Sequence, residues 1–340
     1  MLLLAACGAT NDINTADPDL EEHVGFTFDG KRALEVFGDG YPLTVRDYLD
    51  VETILESKPQ RVAVLSGTPM NIWYDLGGKS VCTSEISANL KLIPEYSEEL
   101  LALPTIGAVY SINMEAVIEQ EPDLIIAQFG TQNVQAAKLR SMGYNVITTY
   151  IRSFDDVISA YLTFGSILEV NAVAEAKAAE LISTRNELIS MSPRDDASVV
   201  ILYLTANALS VKLDNSIAGD VAINLGLQNI ASELPPDSLG SENALLDIEY
   251  VVSLDPDIVL VTSMISDNAT AVEKMEEIFV NNPIWRSLRA VREGSVVYLP
   301  QEYFLYNAGP YYCEAVEYLA RSVYPEIYGE AGEWYESNLQ

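Results

Sequence analysis

Histidine is nearly missing from this 340-residue chain. The single one, His23, sits in a polar N-terminal stretch, so the rest of the sequence has no imidazole for acid–base catalysis. Cysteine is almost as scarce: Cys7, Cys82 and Cys313 form no CxxC pair and lack metal-type spacing. Neither a nucleophile elbow nor a phosphate-binding glycine loop is present. Basic residues are few, 19 against 50 acidic, giving a formal net charge of −31. Such a field repels nucleic acid phosphates and anionic membrane surfaces. A strongly anionic ligand would need cationic side chains concentrated at its site. No internal run reaches the roughly 18 apolar residues of a membrane span.

What is present begins with Met1-Leu2-Leu3-Leu4-Ala5-Ala6-Cys7, which reads as the tail of a secretory signal. Small residues before Cys7 resemble the bacterial lipobox, in which the cysteine is acylated after cleavage. The expectation is a truncated lipoprotein signal over 1–7, then a tether and N-terminal extension over 8–57. With Cys7 lipidated, Cys82 and Cys313 fall in different halves and are expected as buried free thiols.

The remaining chain is written twice, at a spacing of roughly 135–150 residues. Arg61–Leu65 and Ser198–Leu202 are short strand-type apolar runs. Leu76-Gly77 and Leu225-Gly226 each read as a helix stop. Met114–Ile118 leads into Glu121-Pro122-Asp123-Leu124-Ile125-Ile126, and Ile248–Val252 leads into Asp255-Pro256-Asp257-Ile258-Val259-Leu260. In both, a one-sided short helix is stopped by proline and followed by an aliphatic strand. Leu139-Arg140 and Leu288-Arg289 complete the set. The predicted fold is α/β: two similar lobes, each a mainly parallel sheet covered by helices, joined by one long helix. The lobes are placed at 58–152 and 171–340, with the connecting helix at 153–170 starting at a Ser153 cap.

Pro59–Leu65, Leu76-Gly77-Gly78, Gly107, Asn113-Met114-Glu115 and Pro122–Ala127 resemble the N-lobe of the helical-backbone periplasmic binding proteins. Pro283-Ile284-Trp285, Ala290–Gly294 and Tyr324-Pro325-Glu326 continue the likeness through the C-lobe. The family comprises receptors for ferric siderophores, haem and cobalamin. The resemblance implies a monomeric ABC-importer lipoprotein outside the cytoplasmic membrane, serving a permease dimer and its ATPase. It also implies that Glu115 and Glu249, equivalent in the two repeats, dock onto permease arginines. Isolated helix glutamates are otherwise ordinary solvated residues; the symmetry carries the docking reading.

Ligand contacts are expected in loops leaving the C-terminal ends of the strands. The candidates are Thr68, Trp73, Tyr74, Tyr110, Phe129, Tyr203, Tyr303 and Tyr306, with Arg152 and Lys212 as the cations. Rings grip a planar or organic ligand at low entropic cost; any one of them is otherwise core. Tyr110, Tyr303 and Tyr306 rank first by the resemblance, and for haem an axial ligand would come from Tyr110, another cleft tyrosine or Met70. The absence of cleft histidine disfavours the related zinc and manganese receptors. No resident cofactor, protein-held metal or nucleic acid partner is expected. The leading function is capture of an iron complex, ferric siderophore or haem, with cobalamin or another corrinoid as the alternative. Outside this class stand a glycosidase-like enzyme using Glu115 and Glu249 as a carboxylate pair, and a surface sensor without a transporter.

Overall fold

The computed structural model describes residues 34–265, 267–305 and 309–338, and these begin with an antiparallel meander. Its strands are β1 (Glu35–Phe37), β2 (Leu43–Arg46) and β3 (Glu52–Leu55), in that spatial order. The sequence grouped this stretch with the tether as an N-terminal extension. It is a folded sheet laid against the first lobe. Thr53 Oγ1 donates to the Val146 carbonyl (3.2 Å), and the Tyr48 N–H donates to the Thr148 carbonyl (3.2 Å). The buried Asp47 carboxylate pairs with Arg140 and accepts from the Thr148 N–H at 2.9 Å.

The first lobe is a three-stranded parallel sheet of β4 (Val62–Val64), β5 (Leu124–Gln128) and β6 (Val146–Thr149). The second lobe contains β7 (Ser198–Leu204), β8 (Leu209–Lys212), β9 (Gln228–Asn229), β10 (Asn243–Leu245), β11 (Ile258–Ser263) and β12 (Val296–Tyr298). Its order is β10-β8-β7-β11-β12, with β9 beside β7. β9, β7, β11 and β12 run parallel, as the aliphatic runs imply. β8 turns back on β7 as an antiparallel hairpin, and β10 pairs antiparallel with β8. Residues 203–204 and 209–212 therefore lie in the β7–β8 hairpin rather than in a loop leaving the sheet.

The repeated residues perform the same task in each lobe. Asp123 accepts from the Gln60 and Arg61 N–H groups (2.7 and 2.9 Å), fixing the start of β4. Asp257 accepts from the Ser198 N–H (2.8 Å) and hydroxyl (2.7 Å) at the start of β7. Its carboxyl is held down to about 2, chiefly by Arg289 and then by Ser198. Gly77 and Gly226 both sit at φ +82, ending helices Gly67–Asp75 and Ile217–Asn224 in the left-handed conformation glycine tolerates.

A capping box opens the connecting helix Phe154–Leu168: Ser153 and Asp156 each accept from the other's backbone N–H. Helix Asn171–Ser190 packs back along it. Gly165 permits that approach, since a Cβ there would lie 2.3 Å from the Ala174 Cβ. Both lobes belong to one compact unit, Arg32–Gln340. Each has its own buried core, Ala63, Ile125 and Val146 in the first, and Val200, Val259 and Trp285 in the second. Cys82 and Cys313 are free and buried, and burial pushes both thiols up, to about 11 and about 12. No helix among the described residues is long and apolar enough to cross a membrane. Cys7 and Tyr306 lie outside the described residues.

Candidate functional site

A cavity of about 250 Å³ lies between the lobes. From the first lobe it is lined by Thr68, at the start of helix Gly67–Asp75, by Ser84 and Ser87, and by Arg152 just after β6. From the second come Tyr203 at the end of β7, Lys212 at the end of β8, and Glu242, Met264 and Phe304. Strand ends and the segments that leave them thus converge from two sheets, as open α/β folds arrange their ligand crevices.

Charge is concentrated at one point of the wall. Arg152 Nη1 lies 2.5 Å from Glu242 Oε2, and Lys212 Nζ is paired with Glu242 Oε1. Both cations also rest on rings: Lys212 Nζ is 3.9 Å from the centroid of Tyr203, and the Arg152 guanidinium is 3.9 Å from that of Tyr150. Lys212 is only 3% exposed. Loss of water drives its ammonium pKa down, opposed by the attraction of Glu242. Burial raises the Tyr150 hydroxyl to about 12.

Of the ligand contacts expected from sequence, Thr68, Arg152, Tyr203 and Lys212 line the cavity. Trp73 and Tyr74 do not: they are buried in the first lobe, where Trp73 Nε1 donates to the Lys79 carbonyl and Tyr74 Oη accepts from the Ser80 N–H. Their helix leaves the cleft end of β4, but these positions turn inward to fill the core. Tyr303 is fully buried, with Lys91 Nζ 5.2 Å from its ring centroid and Tyr335 packed edge-on, so it too is interior. Tyr110 is 67% exposed and does not line the cavity, whereas its neighbour Val109 does. Phe129 joins Tyr48 and Tyr150 in a ring cluster outside the lining. Sequence reasoning missed Glu242 and the Thr83–Leu90 segment. The latter's run of Ser, Thr and Asn without periodicity was the available signal; Glu242 had none.

Glu115 and Glu249 are both exposed, each in the first turn of a short helix capped by the side chain before it. Asn113 Oδ1 accepts from the Glu115 and Ala116 N–H groups, and Asp247 Oδ1 from those of Glu249 and Tyr250. Among the described residues no group of three or more His, Cys, Asp and Glu is arranged to hold a metal ion.

Residues 62–303 match the periplasmic binding protein family. A cobalamin-binding protein of Halobacterium salinarum is 26% identical over 76% of this chain and 68% of its own length. An uncharacterized ABC transporter substrate-binding lipoprotein of Bacillus subtilis is 25% identical over 97% of this chain and 95% of its own. Among solved structures, an ABC-type Fe3+-hydroxamate transport protein of Saccharomonospora viridis aligns with a TM-score of 0.69. That match has 20% identity and covers 83% of this chain and 99% of the other.

Proposed function

Because the chain belongs to the periplasmic binding protein family, as a solute-binding protein rather than an enzyme, we propose that it captures an iron complex in the interlobe cavity and delivers it to an ABC permease. The carrying observation is the convergence of Arg152 and Lys212, from different lobes, on one point of the cavity wall. Against a net charge of −31, two cations gathered there answer the objection that an acidic protein would repel an anionic ligand. They suit a chelate that presents carboxylate or catecholate oxygens around its metal. The expected anchor is the Cys7 lipid, holding the protein outside the cytoplasmic membrane. Glu115 and Glu249, exposed on matched helices, would set its orientation on the permease.

Size supports a compact complex. Small-molecule sites span roughly 300–1,000 Å³, and this cavity, at about 250 Å³, sits just below that range. A corrinoid would require the lobes to part further. It remains the second reading because a 26% identical relative is a cobalamin-binding protein.

Isothermal titration calorimetry with ferric citrate, a neutral ferric trihydroxamate, haemin and cyanocobalamin tests the assignment. Binding of an anionic ferric complex at micromolar affinity or better, lost in the double variant R152Q/K212M, is the expected result. Heat from cyanocobalamin alone transfers the assignment to corrinoids, and no response to any member ends the metal-complex reading. In proteoliposomes with the cognate permease, E115R and E249R should keep ligand affinity and lose stimulated ATP hydrolysis.

A further inference from the structure

Glu242 holds a position that the ligand itself should want. It lies just before β10, in the second lobe, and its backbone carbonyl accepts from the Leu213 N–H at 2.8 Å. Each carboxylate oxygen takes one cation, Oε1 the Lys212 ammonium and Oε2 the Arg152 guanidinium. The three side chains are 19%, 4% and 21% exposed, so the trio is largely withdrawn from water and carries one net positive charge. Arg152 belongs to the first lobe and Glu242 to the second, so this ion pair crosses the cleft. The same segment also touches the first lobe at Gly240, whose carbonyl accepts from the Tyr150 hydroxyl at 3.4 Å. A Cβ at Gly240 would lie 4.0 Å from the Phe129 ring.

We infer that Glu242 is a specificity-determining residue, a built-in counter-anion that occupies the cation pair until an ionised oxygen of the ligand displaces it. This rests on the reading of the cavity as the ligand site. A buried cation pair left without a counter-charge is costly, so the carboxylate keeps the site intact before ligand arrives. A ligand that brings its own anionic oxygen replaces it and leaves Glu242 free to swing away. A neutral ligand cannot make that exchange and gains nothing from the cations. Glu242 thereby selects for anionic chelates, and its return to Arg152 and Lys212 favours release.

The test compares the wild type with Glu242→Gln, which keeps the side chain's shape while removing the competing charge and one of its two acceptor atoms. Ferric citrate should bind Glu242→Gln at least tenfold more tightly, with a steeper loss on added salt. The neutral ferric trihydroxamate should change by less than about twofold. Equal shifts for both ligands, or weaker ferric citrate binding, would overturn the inference. If Glu242→Gln does not fold by circular dichroism, Lys212→Met supplies the converse. It leaves Glu242 matched to Arg152 alone, and should weaken ferric citrate tenfold or more while sparing the trihydroxamate; equal losses for the two ligands overturn the inference. Should the wild type bind no iron complex, the proposed cargo fails separately. Iron-free citrate then decides the role of Glu242 by thermal shift. Stronger protection of Glu242→Gln than of wild type supports displacement, and equal protection or none refutes it.

Discussion

Replacing Asp220 by asparagine perturbs the junction of the two lobes at a single charge. Asp220 lies in the second-lobe helix Ile217–Asn224, yet its Oδ2 accepts from the Phe154 N–H (2.9 Å), the first residue of the connecting helix. The same oxygen accepts from the Tyr312 hydroxyl, and Asn224 Nδ2 lies 3.3 Å away. Asp155 and Asp156 in the first turn of the connecting helix face it with like charge, and the Arg185 guanidinium lies 4.1 Å from the Phe154 ring centroid. Burial raises the Asp220 carboxyl from 3.8 to about 6, opposed by the Tyr312 and Phe154 hydrogen bonds. A folded-state value above the unfolded one means that protonation favours the folded protein. Its contribution is complete below the unfolded value of 3.8 and is lost as pH rises through about 6. About two units at about 1.36 kcal/mol each set a ceiling of about 3 kcal/mol. Relaxation of the surroundings around the ionised carboxylate reduces this to about 1–2 kcal/mol. The asparagine carbonyl can still accept from Phe154, so D220N isolates the charge. Denaturant unfolding followed by circular dichroism at pH 4 to 8 should show D220N more stable by that margin at pH 8. The margin should shrink as pH falls through 6 and vanish near pH 4. A pH-independent difference, or a less stable D220N at pH 8, would refute the reasoning.

Three further outcomes follow from the same structure. Gly165→Ala would place a Cβ 2.3 Å from that of Ala174; prying the two helices apart should cost about 1–3 kcal/mol, and unchanged denaturation would show that they do not pack so closely. Trp73→Phe removes a buried ring and its bond to the Lys79 carbonyl, so stability should drop by about 1–3 kcal/mol with ligand affinity unchanged; a tenfold affinity loss by calorimetry would put Trp73 back at the site. Self-repulsion at a net charge of −31 is screened by salt, so the thermal midpoint should rise between 0.1 and 1 M NaCl; a flat or falling midpoint would mean the acidic surface does not oppose compaction.

The second half of each repeat shows how much the amino-acid order can settle alone. Pro122 and Pro256 must stop a helix because they lack an N–H. Gly77 and Gly226 must end one because only glycine takes φ +82 without cost. Ser153 with Asp156 must start one. These are local constraints, acting over three or four residues, and from them the duplicated α/β architecture and the connecting helix could be read in advance. The matched short helices that carry Glu115 and Glu249 were legible for the same reason.

Which side chains meet in the cleft was a different matter. Trp73, Tyr74 and Tyr303 follow strands at the correct end, but the face of the helix each occupies decides between cavity and core, and packing chose the core. Arg152 and Lys212 are 60 residues apart and come together only because β6 and β8, from different lobes, end beside one point of the cavity wall. Glu242 has no motif and becomes visible only when the β8–β10 pairing sets it between them. Local sterics and hydrogen-bonding needs dictate where elements begin and stop, so they can be read from the chain. Convergence of distant charges depends on sheet order and lobe spacing, which the burial of the whole core determines.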